Sequence, residues 1–457
     1  MVKDFTAGPL AKEMFVFSLP LMASNLLQVL FNMSDLAVVG RFSGFTALGA
    51  VGSTSILVTL FTGFLIGISS GVNVLAAFYT GAKRQHDLDF TVHSAGILCL
   101  FAGVILGFTG ILFSRPVLLL LGTKPELLDG ALRYFRIYMF GMPALGIYNF
   151  CNGALSAEGD TRRPLFFMMF AGILNVALNL FFVLAVGLAE SGVAIASVLS
   201  QYTAAGMALI FLFRKKEGVR LGQKNIRFDI YKTARMLKIG IPAGIQYGIF
   251  GFANLFIQAG VNSFDASVVS GNAAAANADP LVYDVMAAFY TAGACFIGQN
   301  HGAGKKDRIR RSLFLSMGYA FCTALLFGFF LFFEGGLFLS LFTKEAAVKS
   351  AGLERLQIMA FSYCISAFMD SLIAASRGLG KTVMPTIFVI FGSCIFRIVW
   401  VYTVFARFRT LTALYLLYPI SWTLTAIAEA VYFIRIFRQE FPSGPAGKSR
   451  IPDIRRD

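Results

Sequence analysis

The stretch LPLMASNLLQVLFNMSD, residues 19–35, is apolar enough to enter a lipid bilayer, yet it ends in a carboxylate. A charged residue at the centre of a membrane helix costs at least about 2.5–3.5 kcal/mol, so it is a candidate for function. Pro20 removes one helical hydrogen bond and provides a hinge below the polar residues. We expect those polar residues to share one face of the helix, which looks onto a cavity or a partner helix. They are spaced by 3, 4 and 3 residues: Asn25, Gln28, Asn32 and Asp35.

Apolar runs of similar length recur along the whole chain, in which 57% of the 457 residues are hydrophobic. A run of about 20 residues spans the ~30 Å hydrocarbon core of a membrane. The sequence therefore predicts an all-α integral membrane protein with twelve transmembrane helices. We place them at 13–36, 50–79, 90–113, 131–153, 164–186, 190–213, 238–262, 268–298, 312–333, 353–376, 384–406 and 411–434.

The formal net charge of +15 does not indicate a surface that binds nucleic acid, because the basic residues lie mainly in the loops between the predicted spans. Lys and Arg gather in alternate loops, as the positive-inside rule requires. This pattern predicts a multi-pass protein of the plasma membrane (a bacterial inner membrane) with both termini in the cytoplasm. The six cysteines form no CxxC pair, and the three histidines form no cluster with them, so we expect no structural metal site.

The two halves of the chain resemble each other at a shift of 221 or 222 residues. Units with an even number of spans share one topology, which makes them parallel repeats. We expect two six-helix lobes that face a central cavity and work by alternating access. The matched elements are Pro20 with Pro242, residues 80–84 with 301–305, and residues 159–164 with 380–385. The predicted divisions are an N-lobe at 1–213, a basic cytoplasmic linker at 214–237, a C-lobe at 238–436 and a cytoplasmic tail at 437–457.

These motifs resemble those of the multidrug and toxic compound extrusion (MATE) family. Pro20 followed fifteen residues later by Asp35 looks like the first helix of that family. GQNHGAGK at 298–305 is similar to its loop after the eighth helix, and residues 158–161 and 377–382 resemble its loops after the fourth and tenth helices. The resemblance covers about residues 10–436 and is nearest to the DinF-like prokaryotic branch. It implies the MATE or MOP-type fold and the export of organic, often cationic or amphipathic, compounds driven by inward flow of H⁺ or Na⁺.

The resemblance also implies a cation-coupling site. In the DinF-like branch an Asp on the first helix works with an Asn and an Asp on the fifth helix and with a hydroxyl on the sixth. The matching residues are Asp35, Asn175, Asn179 and Ser197. Asn179 replaces the second acid, so we expect H⁺ rather than Na⁺ as the coupling ion, with Asp35 as the position for Na⁺ in the alternative. The acid that the NorM-type branch carries on its seventh helix is Phe250 here, so that site is not carried over.

Residue spacing supports the same cluster independently. Asp35 and Asn179 each lie fifteen residues beyond a proline, Pro20 and Pro164. At 1.5 Å per residue, both lie about 22 Å along helices that start on the same side. The alternative is that Asp35 is structural and pairs with Arg41.

Further polar residues inside the predicted spans are candidates for lining the cavity or contacting substrate. Two acids in the eighth span would attract cations, and we expect the acid of the tenth span to pair with the arginine of the eleventh. These candidates are Gln28, Asn32, Asn254, Gln258, Asp279, Asp284, Asp370 and Arg397.

The sequence thus predicts a secondary active antiporter that exports small organic compounds in exchange for H⁺ or Na⁺. We expect a monomer in membrane lipid, with drug-like small molecules as its partners, no nucleic-acid partner and no cofactor. The alternative within transport is a lipid-linked precursor flippase of the same superfamily. A membrane enzyme is disfavoured, because no DxxD or HxxxH cluster lies at a predicted membrane face.

Overall fold

The computed structural model describes residues 3–222 and 228–442. Part of the predicted linker and most of the predicted tail therefore lie outside the described residues. Within these ranges every regular element is helical. In chain order they are α1 Leu10–Phe42, α2 Gly44–Gly81, α3 Gln85–Leu120, α4 Pro125–Met139, α5 Met142–Ala157, α6 Arg162–Leu180, a π-turn at Phe181–Ala185, α7 Glu190–Arg214, α8 Ile230–Val261, α9 Ala266–Ala276, α10 Ala278–Gly302, α11 Lys306–Ser340, α12 Ala346–Gly378, α13 Val383–Val389, a π-turn at Ile390–Ile395, α14 Phe396–Trp400, a π-turn at Val401–Phe405, α15 Ala406–Phe408, α16 Leu411–Tyr415 and α17 Leu417–Glu440.

Eleven helical segments among the described residues are long and apolar enough to cross a membrane. The remaining predicted span, 131–153, is divided between α4 and α5. Gly141 and Pro143 explain the division, because proline lacks an amide donor and its ring clashes with the preceding helical turn. The prediction of an all-α, multi-pass membrane fold is confirmed.

The chain forms two compact units. Unit 1 comprises Ala23–Gly248 and the described residues before Phe5, and unit 2 comprises Phe5–Met22 and the chain from Ile249 onward. Helices α1 and α8 therefore each contribute to both units. Each carries an internal proline, Pro20 in α1 and Pro242 in α8. The predicted lobe boundaries stay a prediction.

Small residues let helices pack closely in unit 1. A Cβ atom on Gly67 of α2 would lie 2.2 Å from the backbone nitrogen of Gly244 in α8. Such contacts are typical of membrane proteins, where small residues allow backbones to approach. Because the two backbones touch, α2 fixes the position of the first part of α8 within this unit.

The internal repeat is visible in how four helices end. Lys83 and Gly304, at equivalent positions of the repeat, both adopt a positive φ, of 55° and 68°. Gly159 and Gly380 form a second equivalent pair, with φ of 92° and 77°. Each residue closes a helix through the same pair of backbone hydrogen bonds, which is the Schellman arrangement. The two halves thus share local geometry as well as sequence.

Candidate functional site

Asp35 lies on α1, and its side chain is buried in unit 1 with 9% of its surface exposed. Both carboxylate oxygens accept hydrogen bonds from neutral groups. The Nδ2 of Asn179 donates to Oδ1 over 2.6 Å, and the Oγ of Ser197 donates to Oδ2 over 3.0 Å. The carboxylate is therefore held by one side chain from α6 and one from α7.

A second layer of hydrogen bonds connects these partners to each other. The Nδ2 of Asn175 donates to the Oγ of Ser197 over 3.3 Å. The Nδ2 of Asn179 also donates to the Oδ1 of Asn175 over 3.2 Å. The structure thus brings Asp35, Asn175, Asn179 and Ser197 together in one cluster, which we call the Asp35 cluster. Their role in cation coupling stays a prediction.

Helix geometry explains how three helices meet at this point. Asn175 and Asn179 are four residues apart on α6 and so share a face. One turn before Asp35 on α1, the ring of Phe31 lies directly against the backbone of α6 at Gly172, where a Cβ atom would be 1.6 Å from the ring. Only glycine permits this approach. The α1–α6 contact therefore depends on Gly172, three residues before Asn175.

No basic side chain neutralises Asp35 within the described part of the chain. The alternative pairing with Arg41 is wrong, since no ion pair joins Asp35 to any described residue within 4.0 Å. The described residues also contain no group of three or more His, Cys, Asp or Glu suited to a metal ion. The cluster offers one carboxylate with amide and hydroxyl partners, a set that can take up and release a proton.

Gln28 and Asn32, predicted to share the polar face of α1, have exposed side chains. They take part in none of the hydrogen bonds of the Asp35 cluster. On α8, the predicted residues Asn254 and Gln258 are also exposed. The side chain of Gln258 is hydrogen-bonded to a residue one turn later, since its Nε2 donates to Asn262 Oδ1 over 2.8 Å.

The carboxylate of Asp279, predicted to attract cations, is already paired with other side chains. Arg355 Nη2 donates to its Oδ2 over 2.7 Å, and the hydroxyl of Tyr363 donates to its Oδ1 over 2.5 Å. The positive charge of Arg355 balances the carboxylate, which gives Asp279 a structural partner across unit 2. Asp284, the other acid of this span, is half-buried.

The predicted direct pair of Asp370 and Arg397 is wrong, since no ion pair joins them within 4.0 Å, although the two charges interact at longer range. Within the described residues, Asp370 accepts a hydrogen bond from Ser366 Oγ over 2.8 Å instead. Arg397 is buried, donates from Nε to Ser421 Oγ over 3.1 Å, and lies with its guanidinium 4.7 Å above the ring of Tyr418. The faces of aromatic rings attract a cation, so Arg397 finds a partner without a carboxylate.

One further buried acid, Glu429, is not among the residues predicted from the sequence. Glu429 lies on α17 in the run AIAEAV, residues 426–431, and is fully buried in unit 2. The signal was present, because an acid inside an apolar span carries the same cost that singled out Asp35.

Comparison with known proteins gives a consistent result. The family model described as MatE matches the chain twice, at residues 20–181 and 242–403. The probable multidrug resistance protein YpnP of Bacillus subtilis is 30% identical over 312 residues, which cover 67% of this chain and 68% of that protein. The FAD transporter of Shewanella oneidensis is 26% identical over 320 residues, 68% of this chain and 70% of that protein. The crystal structure of MATE in the bent conformation superposes with a TM-score of 0.88 at 20% identity, covering 95% of this chain and 97% of the other.

Proposed function

Because this chain belongs to the MatE family, we propose that it is a secondary active antiporter that exports small organic compounds in exchange for H⁺. The family places it among multi-pass membrane transporters and not among enzymes. We further propose that its cargo is cationic or amphipathic and that export proceeds by alternating access. The distribution of Lys and Arg supports a bacterial inner-membrane location with both termini in the cytoplasm. We also propose that it acts as a monomer.

The observation that carries the coupling proposal is the Asp35 cluster. Its single buried carboxylate is held by neutral donors alone. Because no basic side chain among the described residues balances this charge, proton uptake changes the net charge of the cluster from −1 to zero. Protonation of Oδ1 adds a hydrogen that faces the amide NH₂ of Asn179, which is also a donor. The Oδ1 of Asn179 is buried and accepts no hydrogen bond within the described residues. Rotation of this amide would turn an acceptor towards the new proton.

The rotation of the Asn179 amide would couple proton binding at Asp35 to the conformation of the helices. Asn179 lies two residues before the π-turn Phe181–Ala185, a local departure from regular helix. Turning its side chain breaks the hydrogen bond from Asn179 to Asn175 and reverses the hydrogen bond between α6 and Asp35 of α1. Pro20 gives α1 a point at which it can bend in response. Proton uptake at Asp35 would thereby change the shape of α1.

We favour H⁺ over Na⁺ because the cluster contains one carboxylate and the amide nitrogen of Asn179 already occupies one of its oxygens. A hard cation needs several oxygen ligands at once. The lipid-linked precursor flippase has no observation in its favour. The two relatives named above differ in the cargo that their names state, so a substrate panel should contain both an organic cation and a flavin nucleotide.

The test uses purified protein in liposomes under an imposed H⁺ or Na⁺ gradient. Substrate uptake and internal pH are recorded together. Asp35→Asn removes the proton-binding group but keeps the size of the side chain, and we expect substrate-coupled proton movement to be lost. Asp307→Asn, the same change at an exposed position at the start of α11, should behave like the wild type. Wild-type proton coupling in Asp35→Asn would refute the proposal.

A further inference from the structure

The buried acid Glu429 has a position that the Asp35 cluster does not explain. It lies in the middle of α17, in unit 2, with 0% of its surface exposed. Neither Oε1 nor Oε2 accepts a hydrogen bond from any described residue, and no ion pair reaches it within 4.0 Å. A carboxylate left without donors inside a membrane protein is strongly disfavoured relative to the neutral acid.

The groups that face Glu429 come from the elements packed against α17. On α12, Asp370 and Arg377 interact with it electrostatically, with opposite signs. Helix α13 and the π-turn that follows it contain no acidic or basic residue. They present the thiol of Cys394 and hydroxyls such as that of Ser393, which lies 2.9 Å from Thr425 of α17. Arg397 on α14 is bonded to Ser421, two turns before Glu429.

Further titratable groups lie along α17 beyond Glu429. Tyr432 is the next one on the same helix and interacts electrostatically with both Glu429 and Arg435. At the end of α17, Glu440 lies 3.5 Å from Lys381 and 3.9 Å from His301. Along α17, Tyr432 and Arg435 thus lie between Glu429 and the ion pairs of Glu440 at the end of the helix.

We propose that Glu429 is a second proton-binding carboxyl, located in unit 2, which holds its proton as a neutral acid and exchanges it during the transport cycle. Binding is the simple step in which the carboxylate takes up H⁺, without a change in oxidation state. The inference deepens the proposed antiport and rests on it only for the exchange. Whether Glu429 carries a proton is a property of the resting protein and is measured separately.

The first measurement is the infrared carbonyl stretch of protonated carboxyl groups in the purified, membrane-reconstituted protein at neutral pH. We expect a band that is lost in Glu429→Gln and kept in Asp35→Asn and in Glu334→Gln, an exposed position on α11. An unchanged set of bands in Glu429→Gln would overturn the proposal. Glu429→Met replaces that variant if it does not fold, since a site built for a neutral side chain tolerates at least one of the two. Failure of both to fold also counts against it.

The second measurement is the number of protons moved per substrate molecule in liposomes. We expect this ratio to fall in Glu429→Gln while substrate binding is retained. An unchanged ratio with an unchanged pH dependence would make Glu429 a static acid and overturn the exchange. If the wild type moves no protons with substrate, the antiport proposal fails while the infrared result stands. If protons move but the band is absent, only the inference about Glu429 fails.

Discussion

Gly172→Ala is the sharpest perturbation of the Asp35 cluster that leaves its four side chains in place. A Cβ atom at residue 172 would lie 1.6 Å from the ring of Phe31, so the ring must move away from α6. Overpacking of this kind typically costs about 1–3 kcal/mol, or roughly 5- to 150-fold in the folded-to-unfolded ratio. Because the displaced segment of α1 carries Asp35 one turn later, we also expect proton coupling to weaken.

The assay is unfolding in mixed detergent micelles, followed by circular dichroism, together with the liposome proton assay. Gly206→Ala on α7 is the matched control, since a Cβ atom there meets no other atom within 4 Å. It should be neutral or stabilise the helix by up to about 1 kcal/mol. In Gly172→Ala combined with Phe31→Ala the collision partner is absent, so the two changes should cost less together than the sum of their separate effects. Wild-type stability and coupling in Gly172→Ala alone would refute the close packing of α1 on α6.

Two further predictions follow from single positions. Asn179→Asp places a second carboxylate within hydrogen-bonding distance of Asp35, where the present contact is 2.6 Å. Two acids so close share one proton or a cation. Once alkaline pH removes the shared proton, transport should become sensitive to Na⁺, and indifference to Na⁺ at that pH would contradict the geometry. Lys83 adopts a left-handed backbone conformation with φ of 55°, so Lys83→Gly should stabilise the protein by about 1 kcal/mol. The neighbouring Ala82 has φ of −73°, so Ala82→Gly should destabilise it. Thermal unfolding of both variants tests this, and equal effects would contradict the left-handed conformation of Lys83.

The positions of the long helices followed from the sequence, because runs of apolar residues report membrane spans directly. The division of one span at Gly141 did not follow, since a proline and a glycine inside an apolar run are compatible with a continuous, kinked helix. The meeting of Asp35 with Asn179 came from helix spacing and from a family resemblance. Its hydrogen-bond pattern depends on the close approach at Gly172, which no local pattern announces.

Pairs between distant helices were the least predictable feature. Asp279 and Arg355 are 76 residues apart, and nothing in either span indicates that they meet. For Arg397 the expectation of a carboxylate partner overlooked that tyrosine and tryptophan rings also attract a buried cation. A charge inside an apolar span needs a partner, but the packing of the helices decides which residue that partner is.

Asp35 and Glu429 are buried acids in different surroundings, and the contrast bears on mechanism. Asp35 receives a hydrogen bond on each oxygen, which compensates its charge in place. Glu429 receives none from the described residues, so its loss of a proton must wait for a rearrangement that supplies a donor or water. The charged form of Asp35 is thus stabilised within the present arrangement, while discharge of Glu429 requires a different one. Two acids with these properties, one in each unit, would tie proton release to the change of conformation that moves the cargo.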